Sequence, residues 1–161
     1  MSFKTIEINT DDKSKFYQLI TQQVTGLLQG ESDVIANAAN LSSLLYHTLE
    51  QVNWVGFYFF KRDELVLGPF HGQVACTRIP IGQGVCGTAF KENKTLRVPD
   101  VGAFKGHIAC DTASASEIVI PLRVNQEIIG VLDIDSPILN RFDKLDQINL
   151  EAISEIYCNQ V

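Results

Sequence analysis

Apolar residues recur at helical spacing in two runs before residue 50, at strand spacing through the middle of the chain, and at helical spacing again at its end. Phe16, Ile20, Val24 and Leu27 form the first run, with Thr10 or Asp11 placed to cap the free amides before it and Gly30 to end it. Val34, Ala38, Leu41 and Leu45 form the second stripe, behind Ser32 or Asp33. Trp54 to Lys61 is rich in aromatic residues and, with Glu64 to Phe70 after an Arg62-Asp63 turn, predicts a β-hairpin. A third strand is expected to include Cys76 to Ile81. Gly82, Gly84 and Gly87 then turn the chain around Cys86 into a short helix through Phe90.

Leu96 to Val98 predicts a short strand, and Glu117 to Val124 and Glu127 to Asp135 two longer ones joined at Asn125-Gln126. Between them, Pro99 to Ala115 reads as a long loop. The last helix begins near Asp143, with Asp146 as its capping-box partner and Leu145, Ile148, Ala152 and Ile156 as its stripe. This order predicts an α+β fold, a twisted and mostly antiparallel sheet with helices packed on one face. The other face is left for a pocket beneath the long loop.

Composition narrows what such a fold does. A chain of 161 residues, 45% hydrophobic and 20% charged, suits a single domain over residues 1–161. A formal charge of -6, with 13 basic against 19 acidic side chains, leaves little material for a phosphate-binding face and argues against nucleic acid as a partner. No apolar run approaches a membrane span or a secretory core, so a cytoplasmic protein is expected. Thiols stay reduced there, and four cysteines then point to redox chemistry, metal binding or core filling rather than to structural disulfides.

Cys76, Cys86 and Cys110 each lie beside glycine or polar residues, whereas Cys158 sits in the last helix and reads as a small buried hydrophobe. Cys110 is the strongest candidate nucleophile. It lies in His107-Ile108-Ala109-Cys110-Asp111 on the long loop, where a thiol can be reached and can later meet a second one. A protonated His107 would lower its pKa and Asp111 would raise it. Zinc held by the three cysteines with His71 or His107 is the chemical rival, but no two cysteines have the close spacing of a zinc knuckle. Asp133 and Asp135 alternate with apolar residues, so a strand puts both carboxylates on one face, about 7 Å apart. Glu117 is placed to join them. Trp54 and Tyr58 likewise share a face, to wall a small pocket or to fill the core.

Taken together these segments resemble the free methionine-(R)-sulfoxide reductases, enzymes built on a GAF domain. The resemblance runs from about Ser32 to Phe142. It includes Asn53-Trp54-Val55-Gly56-Phe57-Tyr58, Leu67-Gly68-Pro69-Phe70 and the block from Ala75-Cys76 to Gly84-Val85-Cys86-Gly87-Thr88-Ala89. It continues through Gly106-His107-Ile108-Ala109-Cys110-Asp111, Ser116-Glu117-Ile118-Val119-Ile120-Pro121 and Gly130-Val131-Leu132-Asp133-Ile134-Asp135-Ser136.

The resemblance implies Cys110 as the cysteine that attacks the sulfoxide sulfur, Cys76 as the main resolving thiol and Cys86 as a third that takes part in recycling. It implies Trp54 and Tyr58 around the methyl-sulfur end of the substrate, and Glu117, Asp133 and Asp135 on its amine and sulfoxide oxygen. Thioredoxin is the implied reductant, with no metal or organic cofactor. A homodimer is left open, the first helix being its candidate interface. A non-catalytic GAF sensor of a small ligand would share the fold, and a peroxide-sensing thiol protein would share the cysteines, but neither has a use for both the cysteines and the acidic set.

Overall fold

The computed structural model describes residues 3–106 and 113–161. Asp12 caps the first helix, α1 (Lys13–Leu28), through the amides of Ser14 and Lys15, and Asp33 caps α2 (Val34–Thr48) through those of Ile35 and Ala36. Each cap satisfies two of the donors that a helix start leaves open. The strands β1 (Trp54–Lys61) and β2 (Glu64–Gly72) form the expected hairpin. Its turn residues Arg62 and Asp63 both have positive φ, 51° and 68°, the backbone twist that a two-residue hairpin needs.

The third strand is shorter than expected. Only Arg78–Pro80 pairs with β2, as β3, and α3 (Gly84–Glu92) follows it. After β4 (Leu96–Val98) come β5 (Ser116–Val124) and β6 (Glu127–Ser136), joined by a second positive-φ pair, Asn125 and Gln126. The chain closes on α4 (Lys144–Cys158), where Asp143 and Asp146 form a full capping box.

The six strands make one antiparallel sheet in the order β3-β2-β1-β6-β5-β4. Because strand side chains alternate, each central strand feeds both faces. Val55, Phe57, Phe59, Ile118, Ile120, Leu122, Leu132 and Ile134 point to the face covered by α1, α2 and α4, where they form the main core. Each such side chain, fully buried, contributes about 1.5–3 kcal/mol. Trp54, Tyr58, Val119 and Val131 point the other way, into a second cluster with Val85, Cys86 and Ala89 of α3. This second face is therefore capped at one end by α3.

Two helices turn a different edge to the core than their apolar spacing suggests. In α1 the buried line is Tyr17, Ile20, Val24 and Leu28, one position on from Phe16 and Leu27, which are only partly covered. In α4 it is Asp146, Leu150, Ile153 and Tyr157, while Ile148 is 51% exposed and Leu145, Ala152 and Ile156 lie off the buried line. A carboxylate in the first core position hides the true phase. Asp146 is fully buried because Tyr17 donates to it at 2.6 Å, Lys13 at 2.7 Å and Arg141 at 3.3 Å. A buried charge persists only with such partners.

Candidate active site

The second face of the sheet is a register grid. On β1, Trp54, Gly56 and Tyr58 stand opposite Asp135, Asp133 and Val131 of β6. Asp135 and Asp133 in turn stand opposite Glu117 and Val119 of β5, and Glu117 opposite Val98 of β4. The three carboxylates singled out in the sequence and the two aromatic residues thus occupy neighbouring positions on three adjacent strands, as the alternation of Asp133 and Asp135 predicts. Glu117 and Asp133 are buried and Asp135 is half-buried.

The aromatic wall depends on a glycine. The indole of Trp54 stacks on Phe70 of β2 at 5.3 Å between ring centres and on Tyr58 at 6.0 Å. Between these rings lies Gly56, where a Cβ would fall 2.4 Å from both the indole and Phe70. Only glycine lets the rings close over that position. Polar atoms then fix the wall: the indole Nε1 donates to the carbonyl of Gln73 at 3.0 Å, and the Tyr58 hydroxyl to the carbonyl of Cys76 at 2.9 Å. Phe70 as a member of this wall is not apparent from spacing. The signal is its pairing with Gly56, which only the register reveals.

The electrostatics are those of acids held away from water. Glu117 has its pKa raised well above the usual range, first by burial and then by the charges of Asp133 and Asp135. Burial also raises Asp133, partly offset by hydrogen bonds from Cys86 and Glu117. Glu117 and Asp133 therefore keep a proton between them at pH values where exposed carboxyls have lost theirs. The Oδ1 atom of Asp133 is buried and accepts no hydrogen bond from the described residues. Tyr58 is pushed up by burial and by the Asp133 charge, so its hydroxyl stays a donor.

Cys86 lies in the first turn of α3 with its Sγ 4.0 Å from Glu117 Oε1. A helix N-terminus favours a thiolate. Here burial and the neighbouring carboxylates outweigh it, and the thiol is held protonated. Cys86 is thus neither in a loop nor accessible: it is 4% exposed and free.

Cys76 follows β2 in the short connection to β3 and is disulfide-bonded. Cys110, with His107 and Asp111, lies outside the described residues. What is described of their loop is its two ends. The Val101 amide donates to the Ala115 carbonyl at 3.0 Å, Ala115 to Ser136 at 2.7 Å, and Asn53 Nδ2 to Ser114 Oγ at 3.2 Å. Cys158 is buried in the main core, as its place in the last helix suggests. His71 packs its ring against Tyr46 and edge-on against His47 beside α2.

The curled antiparallel sheet, with α1, α2 and α4 on one face and α3 at one end of the other, is the fold of a GAF domain, and the GAF domain family matches residues 12–161. Among its relatives, Protein YtsP of Bacillus subtilis is 56% identical over 152 residues, 93% of each chain. The free methionine-R-sulfoxide reductase of Escherichia coli is 51% identical over 142 residues, 88% of this chain and 86% of that one. The X-ray structure of free methionine-R-sulfoxide reductase from Neisseria meningitidis in complex with its substrate superposes with a TM-score of 0.93 at 41% identity, over 97% of this chain and 94% of that one. This chain belongs to the free methionine-R-sulfoxide reductase family.

Proposed function

We propose that this chain, acting as one domain, reduces free L-methionine-(R)-sulfoxide to methionine by way of a cysteine sulfenic acid and a disulfide. Cys110 is the nucleophile. Its thiolate attacks the sulfoxide sulfur while a carboxyl of the Glu117–Asp133 pair protonates the departing oxygen, which would otherwise be a poor leaving group. The protonated oxygen then passes from the substrate sulfur to the Cys110 sulfur, breaking one S–O bond as the other forms, so methionine leaves and Cys110 becomes a sulfenic acid. The Cys76 thiol then displaces that oxygen as water and closes a disulfide, so two thiols and one sulfoxide become one disulfide, one methionine and one water. Thioredoxin returns the pair to thiols, and Cys86 is the third thiol available to that recycling.

One observation carries the reading. The hydroxyl of Tyr58, a wall of the acidic pocket, donates to the backbone carbonyl of Cys76, a cysteine in its oxidised state, and this supports a disulfide step next to that wall. Among the described residues the free thiols are Cys86 and Cys158.

Trp54 and Tyr58 take the methyl-sulfur end of the substrate. Glu117, Asp133 and Asp135 take its ammonium group and sulfoxide oxygen. A methionine inside a polypeptide has no ammonium to offer, so the pocket selects the free amino acid. The reaction uses no metal or organic cofactor and belongs in the cytoplasm, and a homodimer through α1 is compatible with it.

The test is methionine release from each sulfoxide diastereomer with a thioredoxin system. Turnover is expected on the free R form, none with Cys110→Ser, and a single round with poor recycling for Cys76→Ser. Full activity of Cys110→Ser, or equal rates on free and peptide-bound sulfoxide, would overturn the reading.

A further inference from the structure

The geometry points to a metal site in the same corner of the fold: Cys86, Glu117 and Asp133 form a three-donor site for a borderline-soft divalent cation of the zinc class, whose occupation shuts out the substrate's ammonium group. One donor atom from each residue, the Cys86 Sγ and a carboxylate oxygen from Glu117 and Asp133, lies within 4.8 Å of the other two. They come from three separate elements, α3, β5 and β6, so packed secondary structure and not a loose loop sets their spacing. The residues are 4%, 5% and 6% exposed. The second, independent sign is Asp133 Oδ1, an oxygen of a carboxylate more than nine-tenths buried, with no hydrogen-bond partner among the described residues. Such an atom is costly unless something arrives to pair with it.

The donor set selects the ion. Zinc bonds run to about 2.3 Å for sulfur and about 2.0–2.2 Å for oxygen, which puts tetrahedral neighbours roughly 3.4–3.6 Å apart. Cys86 Sγ and Glu117 Oε1 are at 4.0 Å, so side-chain rotations of under 1 Å suffice at that edge. A thiolate disfavours calcium and magnesium, and two carboxylate oxygens disfavour monovalent copper, leaving zinc, cobalt and cadmium. This ligand set shares only Cys86 with the one that sequence spacing argues against, and it needs no histidine. Binding must release the Cys86 proton and the proton that Glu117 and Asp133 keep, so affinity rises with pH. The binding itself does not depend on the proposed reaction. Only the exclusion of the ammonium rests on it.

The experiment uses full-length Cys76→Ser/Cys110→Ser protein, in which the proposed reaction cannot run, titrated with Co²⁺ and read by thiolate-to-cobalt charge-transfer absorption. The expected result is one equivalent bound, more tightly at pH 8 than at pH 6. Adding Cys86→Ser abolishes the absorption, adding Asp133→Asn weakens binding at least tenfold, and adding Cys158→Ser leaves it unchanged. Thermal melts confirm that each variant folds, with Cys86→Ala as the substitute if Cys86→Ser does not. No absorption in the parent, absorption that survives loss of Cys86, or absorption lost with Cys158 overturns the site. Free methionine sulfoxide should raise the Co²⁺ midpoint several-fold and its N-acetyl derivative, which lacks the ammonium, should not. An unmoved midpoint overturns the exclusion while leaving turnover by the wild-type enzyme as the separate test of the reaction.

Discussion

Gly56 and Asp133 face each other across β1 and β6, and each makes the site in a different way. A methyl group at position 56 meets carbon at 2.4 Å on two sides. Gly56→Ala is therefore expected to cost about 1–3 kcal/mol of stability through overpacking. Because the atoms displaced are those of Trp54 and Phe70, it should also raise KM several-fold, which chemical denaturation and steady-state kinetics would measure together. Asp133 acts through its charge. Its pKa and that of Glu117 are raised in the folded protein, so the native state binds more protons than the unfolded chain between the ordinary carboxylate range near 4 and the raised values. Stability must fall as pH rises through that window. Asp133→Asn should flatten the fall, and urea midpoints at pH 4.5 and pH 8 are the check. A steeper fall in the variant would refute the assignment of the raised values.

At the scale of the element, α4 shows how a charge can set the phase of a helix. The line Asp146, Leu150, Ile153, Tyr157 faces the core, so Ile153→Ala is expected to cost about 2–5 kcal/mol, and Ile148→Ala less than about 0.5 kcal/mol. Equal losses would restore the phase that apolar spacing alone suggests. The same helix start holds Asp143, whose carboxyl Lys13 and the capping amides keep at about 2. A depressed carboxyl stabilises above its unfolded value and loses that contribution as pH falls. Lys13→Met should move the Asp143 titration back toward 4, readable by NMR, and start acid unfolding earlier.

Much of the secondary structure was legible in the residues. Trp54 to Lys61, Leu96 to Val98 and the Asn125-Gln126 turn stand where their pattern puts them, because strand alternation and turn chemistry are local. The stripe of α2 was legible at Ala38, Leu41 and Leu45, and that of α1 at Ile20 and Val24, but the phase of α4 was not, since the partners of Asp146 lie up to 133 residues away.

Across the whole molecule the sheet separates two tasks. One face binds three helices and carries the main core, while the other carries the acids, the aromatic wall and Cys86. Adjacent residues of one strand should then fail differently. Ile134→Val should cost about 0.5–1.5 kcal/mol with little change in KM, and Asp133→Asn should raise KM with little change in the denaturation midpoint at low pH. This division explains which parts of the site could be read from the chain. Trp54 with Tyr58, and Asp133 with Asp135, share a face by the period of two and could be paired at sight. The meeting of Glu117 with Asp135, of Phe70 with Gly56 and of Tyr58 with Cys76 comes from strand order and register, which no single stretch of sequence encodes. The same holds for the burial of Cys86: its glycine-rich surroundings suggest an exposed turn, and α3 instead lays it against β5 and β6.

The hydrogen bond from the Val101 amide to the Ala115 carbonyl anchors the connection between β4 and β5 at its base. Residues inserted between those anchors move neither foot, and closure entropy makes even a doubling of the connection cost only about 0.6 kcal/mol. On the proposed reaction, length can therefore be added there while Trp54, Tyr58 and the three carboxylates stay where the strands hold them.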